Sequence, residues 1–205
     1  MARAAPLLPV SFTSAFVTYW SPMDRTKFIS SGNMWFDYDA KCFRIDGLFN
    51  PWDVAGTKQH LWLTELSHYG EGVSYHLCLL YDRVPCPGAE PEHTIESREL
   101  TENVVPAREA IFPRDYLVET KATFGGTVSV LGLRADIWDL PASNRLGIRR
   151  VHLRHDSNEL VRMEQEKRGD IVVRDFPNLV RCAIAPAIFD RSTFGFAPGS
   201  RSRAK

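Results

Sequence analysis

Glu65 is the residue whose type and surroundings best suit proton transfer. It lies in the strand-like run Leu61-Trp62-Leu63-Thr64-Glu65-Leu66, whose alternation puts Leu61, Leu63 and Glu65 on one face. Neither face of this run is plainly polar, so we expect Glu65 to point into an apolar or aromatic environment. Removal from water would raise the proton affinity of its carboxylate and suit it to acid–base chemistry near neutral pH. A solvated strand end, or a pair with an arginine, is the alternative.

Arg174 is the candidate for binding an anionic ligand. It follows the apolar run Ile171-Val172-Val173 and precedes Asp175-Phe176-Pro177-Asn178. A guanidinium at the end of an apolar strand offers a two-pronged donor to a carboxylate. A local ion pair with Asp175 or Asp170 is the alternative.

The motif Phe49-Asn50-Pro51-Trp52 follows a predicted strand and has two interpretations. Asn50 hydrogen-bonds locally in many turns and Pro51 stiffens the chain, so a structural turn is one of them. The other is an aromatic wall of Phe49 and Trp52 beside an amide that binds a planar ligand.

Motifs of several enzyme classes are missing. The six histidines form no cluster with metal-ligand spacing, and we predict no metal site. The sequence contains no phosphate-binding glycine loop, no dinucleotide fingerprint and no Gly-x-Ser-x-Gly elbow. The residues alone therefore indicate a β domain with a small-molecule cleft.

The elements that must position these residues are short strands with period-2 alternation. Two short segments, Pro113–Thr120 and Pro186–Asp190, favour helix. Because the loops are too short for crossovers, neighbouring strands should be antiparallel. We predict one strongly curved antiparallel sheet with little helix. The predicted strands are Ser11–Trp20, Met34–Tyr38, Lys41–Phe49, Leu61–Leu66, Tyr75–Tyr81, Thr127–Arg134, Arg149–Arg154, Leu160–Glu164 and Ile171–Arg174.

Composition narrows the function classes. The 205 residues suit one domain, for which we predict residues 1–196, with a disordered tail over 197–205. Twenty-five basic residues balance 25 acidic ones, which argues against nucleic-acid or anionic-membrane partners. No run approaches a membrane span, and Met1–Pro9 is too short for a signal sequence. We therefore expect a cytoplasmic protein with four free cysteines, Cys42, Cys78, Cys86 and Cys182.

Several segments together resemble the VioE family, the indole-rearranging enzymes of violacein biosynthesis. The resemblance covers roughly residues 6–190 and is densest in the first third of the chain. The matching motifs are Ser14-Ala15-Phe16-Val17-Thr18-Tyr19-Trp20-Ser21-Pro22-Met23, Trp35-Phe36-Asp37-Tyr38, Arg44-Ile45-Asp46-Gly47-Leu48-Phe49-Asn50-Pro51-Trp52 and Arg174-Asp175-Phe176-Pro177-Asn178.

The resemblance implies a half-open β barrel similar to bacterial lipoprotein carriers, assembled as a homodimer. It implies a reaction without metal, flavin or nicotinamide. The implied substrate is an unstable imine dimer of indole-3-pyruvate. The enzyme would steer a 1,2-shift of one indole ring toward the prodeoxyviolacein skeleton, in competition with spontaneous closure to chromopyrrolic acid.

The resemblance also implies residue roles. Glu65 matches the family's acid–base glutamate and Arg174 its carboxylate-binding arginine, both as catalytic residues. The substrate-binding positions are Phe16, Thr18, Phe49, Asn50 and Pro51. Phe16 stands where the family enzyme has Tyr, and Thr18 where it has Ser, so an altered substrate, product or rate is expected. A non-catalytic carrier of a hydrophobic aromatic metabolite is the alternative, favoured by the less polar Phe16.

Overall fold

The protein folds as a single antiparallel sheet of 11 strands that does not close on itself. The computed structural model describes residues 3–21, 29–50, 60–81, 95–104, 112–167 and 169–194. The strand order is β6-β5-β4-β3-β2-β1-β11-β10-β9-β8-β7, so every pairing except that of β1 with β11 joins strands that are consecutive in sequence. The pairing of β1 with β11 joins two meanders, one from each half of the chain. This architecture confirms the predicted fold class.

The strands run from six to eleven residues. They are β1 Ser11–Ser21, β2 Ile29–Asp37, β3 Cys42–Asn50, β4 His60–His68, β5 Val73–Tyr81, β6 Ile95–Val104, β7 Thr123–Val130, β8 Leu133–Asp139, β9 Ile148–Arg154, β10 Leu160–Lys167 and β11 Asp170–Asp175. Within the described residues, helix is confined to α1, Tyr116–Glu119, and to two 3-10 turns, Pro186–Phe189 and Arg191–Phe194. Both predicted helical segments are confirmed in shortened form.

One predicted strand was wrong in its bounds. Thr127–Arg134 was predicted as one strand, but the chain turns within it, at Leu131 and Gly132, to form the β7–β8 hairpin. Both residues have positive φ, 52° and 75°, the conformation that a two-residue hairpin turn requires. The apolar alternation continues through the turn, which is why the pattern concealed it.

The sequence analysis also missed β6, which pairs with β5 at one edge of the sheet. Its sequence, IESRELTENV, is mostly polar and carries four charged residues. Charged side chains are common on edge strands because they discourage pairing with another chain. Hydrophobic alternation therefore gave no signal here.

The sheet is strongly curved, as one shared cavity demonstrates. Ile45 on β3 and Leu160 on β10 line the same cavity of about 20 Å³. Four strand-to-strand steps separate these strands, roughly 19 Å along a flat sheet at ~4.8 Å a step. Only a sheet that bends around the cavity brings both residues to it.

The concave face encloses the main core, which is rich in aromatic rings. Phe12 stacks on Phe36 at 5.2 Å between ring centroids, and Phe36 stacks on Phe43 at 5.3 Å. The segment around α1 packs against this face, and the Tyr38 hydroxyl donates to the Phe112 carbonyl at 2.6 Å. We call this side of the sheet the inner face.

The C-terminal segment covers part of the outer face. Phe189 and Ile188 pack with Leu66 and Tyr75 of β4 and β5. The ring nitrogen Nε2 of His68 lies 2.9 Å from the Phe189 carbonyl oxygen. This cover explains why neither face of β4 looks polar in sequence.

Two remaining predictions concern cysteines and helices. Cys42 and Cys182 are free, as predicted. Across the ranges that the structure covers, none of the helices has the length and apolar character needed to cross a bilayer. Cys86, the loop Pro85–Glu92 and the predicted tail 197–205 lie outside the described residues.

Candidate functional site

The strand register brings most of the predicted site residues to the inner face. Directly paired residues of antiparallel strands share a face. Thr18 pairs with Arg174 on β11 and with Ser30 on β2, and Ser30 pairs with Phe49 on β3. One row across four strands therefore contains three predicted site residues, and alternation adds Phe16 beside Thr18.

A second row contains Glu65. Ile45 pairs with Met34 on one side and with Glu65 of β4 on the other, and Glu65 pairs with His76 of β5. Met34 and Ile45 line the cavity that Arg174 also lines. Glu65 is thus the next residue beyond the wall of that cavity, on the same face.

Arg174 is fixed by two contacts at the junction of the two meanders. Its Nε donates to Thr18 Oγ1 at 2.8 Å, and its guanidinium carbon lies 5.4 Å from the centre of the Phe16 ring. Phe16 is only 4% exposed, so the cation–π contact is made away from bulk water. Burial lowers the pKa of the Arg174 guanidinium below its usual value. An arginine nevertheless stays protonated, so this site holds a cation.

Arg174 lacks the local ion pair that the sequence left open. The carboxylate of Asp175 binds Arg162 instead, at 2.6 Å and 3.0 Å, on the outer face. Among the residues that the structure describes, no acidic side chain lies within ion-pair distance of Arg174. A partly buried cation without a carboxylate carries a desolvation cost that an anionic ligand would offset.

Arg174 opens onto a cavity of about 100 Å³. Apart from Arg174, its polar lining is Gln165, whose Nε2 donates to the Leu146 carbonyl at 2.6 Å. The other lining residues are apolar: Phe112, Leu146, Ile148, Met163 and Val172. An engineered cavity that binds benzene has about 150 Å³, so this one suits the carboxylate end of a ligand better than an indole ring.

Glu65 lies in different surroundings. Its Oε1 is 3.6 Å from Nε2 of His76, and the two side chains are 24% and 35% exposed. The apolar environment predicted for Glu65 is therefore replaced by a partly solvated one with a histidine opposite. The physical reason is the position of β4 and β5 toward the open edge of the sheet, where no element of the described chain covers the inner face.

The remaining predicted site residues are less fully placed. Phe49 and Asn50 are the last two residues of β3 and pair in register with Ser30 and Ile29. Pro51 lies outside the described residues. Their substrate contacts stay predictions.

The sequence analysis missed His76 as a neighbour of Glu65, although a signal was present. The sequence Tyr69-Gly70-Glu71-Gly72 is typical of a turn, and an antiparallel hairpin centred on it pairs residue 65 with residue 76. Within the described ranges, no three His, Cys, Asp or Glu side chains are grouped so as to hold a metal ion.

Comparison with known proteins identifies one family. A family model described as "Violacein biosynthetic enzyme VioE" matches residues 5–189. No curated protein matches the chain.

Two solved structures overlap the fold weakly. The MucA/MucB complex from Pseudomonas aeruginosa has a TM-score of 0.41 and 14% identity, over 88% of this chain and 55% of that one. A structure of MucB in complex with MucA(peri) has a TM-score of 0.36 and 12% identity, over 83% and 50%. The chain spans about half the length of these solved chains.

Proposed function

Since the chain belongs to the VioE family of violacein biosynthetic enzymes, we propose that it binds an indole-3-pyruvate imine dimer and directs the migration of one indole ring. The migration breaks one carbon–carbon bond and forms another within the same molecule. It leads toward the prodeoxyviolacein skeleton. The proposed reaction uses no metal, flavin or nicotinamide.

The observation that carries this proposal is the partly buried Arg174 cation. It faces a cavity, and the structure describes no acidic partner for it. The imine dimer carries carboxylates, and a guanidinium binds a carboxylate through two parallel hydrogen bonds. The cavity volume of about 100 Å³ suits that end of the substrate. The indole rings would then extend along the inner face toward Glu65.

Glu65 is the proposed proton-transfer residue at the other end of the substrate. Glu65 on β4 pairs with Ile45 on β3, and Ile45 lines the smaller of the two cavities that Arg174 lines, the one of about 20 Å³. A substrate held by Arg174 in one conformation would present its migrating ring to this carboxylate. Holding the migrating ring and the Glu65 carboxylate in one geometry favours one of the several reactions that the substrate undergoes spontaneously in water.

Phe16 and Thr18 are proposed to tune the Arg174 end. Thr18 accepts the Arg174 Nε hydrogen bond, a role that Ser would also fill. Phe16 supplies a ring face to the cation but no hydroxyl to the substrate. The family's tyrosine at this position would add a donor. We therefore expect a difference in product ratio or rate relative to the family enzyme rather than loss of binding.

Product analysis tests the proposal. The imine dimer is generated in situ from tryptophan, with and without the protein, and products are identified by mass spectrometry. A product with the rearranged skeleton that appears only with the protein supports the enzyme. Unchanged chromopyrrolic acid, with aromatic ligand bound to the protein, would contradict it and indicate the carrier function.

Two further properties are proposed on the family resemblance. The protein is expected to be a homodimer in the cytoplasm. Sedimentation equilibrium measures the mass directly, and a monomer of 23.3 kDa at micromolar concentration would contradict the dimer.

A further inference from the structure

A second titratable side chain shares the inner face with Glu65. His76 on β5 is the direct cross-strand partner of Glu65 on β4. Its Nε2 lies 3.6 Å from Glu65 Oε1, slightly beyond a well-formed hydrogen bond. Both side chains are partly exposed, His76 by 35% and Glu65 by 24%.

We propose that His76 is a positioning residue for Glu65, forming a glutamate–histidine pair that sets the orientation of the carboxylate. The inference rests on the proposed function and deepens it. His76 acts through Glu65: the cationic ring holds the carboxylate aimed across the inner face. As the indole ring migrates, the proton passes from the substrate to the Glu65 carboxylate and returns to the product, so no external acid or oxidant is consumed.

The electrostatics agree with this geometry. The interaction with the nearby Glu65 carboxylate raises the pKa of His76 above its usual 6.5, against the opposing effect of burial. In the backbone register, His76 pairs with Thr101 of β6, and Cys78, two residues further along β5, pairs with Glu99 of β6.

The pH dependence of conversion follows from the charge of His76. The cationic form of His76 supports Glu65, so conversion should be highest below the pKa of His76. It should fall as pH rises through that raised pKa, above 6.5. Loss of the cation leaves Glu65 in place but without its partner.

The experiment measures single-turnover conversion of the imine dimer between pH 5.5 and 9 for the wild type and His76→Gln, with the protein in excess over the dimer. We expect His76→Gln to lower conversion about ten-fold, the effect of losing one contact to a charged group, with unchanged substrate affinity. We also expect the alkaline decline above 6.5 to disappear. Conversion and pH profile equal to the wild type would overturn the proposal.

A matched control lies at the other half of the sheet. His155 also pairs with a carboxylate, since its Nδ1 is 2.7 Å from Asp136 Oδ1, and it is 29% exposed. His155→Gln removes a histidine–carboxylate pair of the same kind outside the proposed site. It should leave the pH profile of conversion unchanged. The same flattening in His155→Gln would overturn the assignment to His76.

Two results separate this inference from the proposed function. NMR titration of His76 should give a raised pKa in the wild type and a lower one in Glu65→Gln, whatever the activity. If the wild-type protein forms no rearranged product, the proposed function fails while this titration still tests the pair. If Glu65→Gln is inactive but His76→Gln behaves as the wild type, the role of His76 alone fails.

Discussion

The two ends of the inner face, at Arg174 and at Glu65, differ in how their charges are balanced. At one end, Arg174 is a partly buried cation held by Thr18 and Phe16 above a small apolar cavity. At the other end, Glu65 and His76 form a partly exposed carboxylate–imidazole pair. The first end lacks the negative charge that a ligand would bring, whereas at the second end a carboxylate already lies opposite the histidine. This difference suggests that binding is concentrated at Arg174 and proton transfer at Glu65.

The two ends also differ in how the sheet holds them. Thr18 and Arg174 are 156 residues apart in sequence and meet only because β1 pairs with β11. Glu65 and His76 belong to one hairpin with a four-residue turn. The Arg174 end therefore depends on the long-range closure of the two meanders, whereas the Glu65 end depends on local pairing.

Glu65→Gln is the change with the largest expected effect, and it tests the proton-transfer end. We expect conversion to fall about 10²–10⁴-fold, because a positioned general acid–base group typically contributes that much. The fold should persist, since the side chain is 24% exposed and Gln has nearly the same shape. Single-turnover conversion with a thermal melt measures both.

Glu71→Gln is the matched control for that variant. Glu71 is an exposed residue of the turn between β4 and β5, outside the inner-face rows. Its variant should convert substrate as the wild type does. Wild-type turnover by Glu65→Gln would remove Glu65 from the mechanism.

Two arginines on adjacent strands, Arg162 and Arg174, allow a structural cation to be compared with one that binds a ligand. Arg162→Met leaves the Asp175 carboxylate, 10% exposed, without its bidentate partner. We expect a loss of about 1–3 kcal/mol in the free energy of unfolding. Arg174→Met removes a partly buried cation that has no described acidic partner, so the free energy of unfolding should stay the same or rise.

Urea unfolding of the two variants and the wild type checks this pair of opposite expectations. If Arg174→Met is destabilised as strongly as Arg162→Met, then Arg174 is a structural residue and the comparison between the two ends fails.

The smallest expected effect concerns the departures from the family. Phe16→Tyr with Thr18→Ser should shift the product ratio toward the violacein-type rearrangement. The added hydroxyl must find a partner, worth about 0.5–1.5 kcal/mol net for one hydrogen bond. Thr18→Ser keeps the acceptor for Arg174 Nε, so the double variant should lose little stability.

Mass spectrometry of the products beside thermal melts measures both properties of the double variant. Thr18→Val is the control that removes the acceptor, and it should weaken ligand binding. A large fall in melting temperature with an unchanged product ratio would mean that Phe16 serves only the core.

The sequence predicts more of the Glu65 end of the inner face than of the Arg174 end. Alternation correctly put Glu65 on the face of Leu63. Counting residues outward from the turn at residues 69–72 would have paired Glu65 with His76. Its solvation could not be predicted, because the open edge of the sheet is a tertiary property. The surroundings of Arg174 required the β1–β11 pairing, for which no local pattern exists. Only the family resemblance joined Arg174 to Phe16 and Thr18.

The fold shows the same division. Alternating apolar strands and their turns were recognisable because each face must match the packing around it. The edge strand β6, with its polar sequence, and the β7–β8 turn at Leu131 and Gly132 were missed. In both places the pattern of apolar residues does not indicate where the strands begin and end.

Binding and conversion measured side by side test the separation of the two ends most directly. Calorimetry with indole-3-pyruvate gives affinity, and single-turnover conversion of the imine dimer gives chemistry, for Arg174→Lys and Glu65→Gln. A lysine replaces the two-pronged donor poorly, so Arg174→Lys should lose about 1–3 kcal/mol of binding free energy. Glu65→Gln should bind as the wild type does and fail to convert. Equal affinity of Arg174→Lys and wild type, or an equal loss of affinity in both variants, would contradict the account.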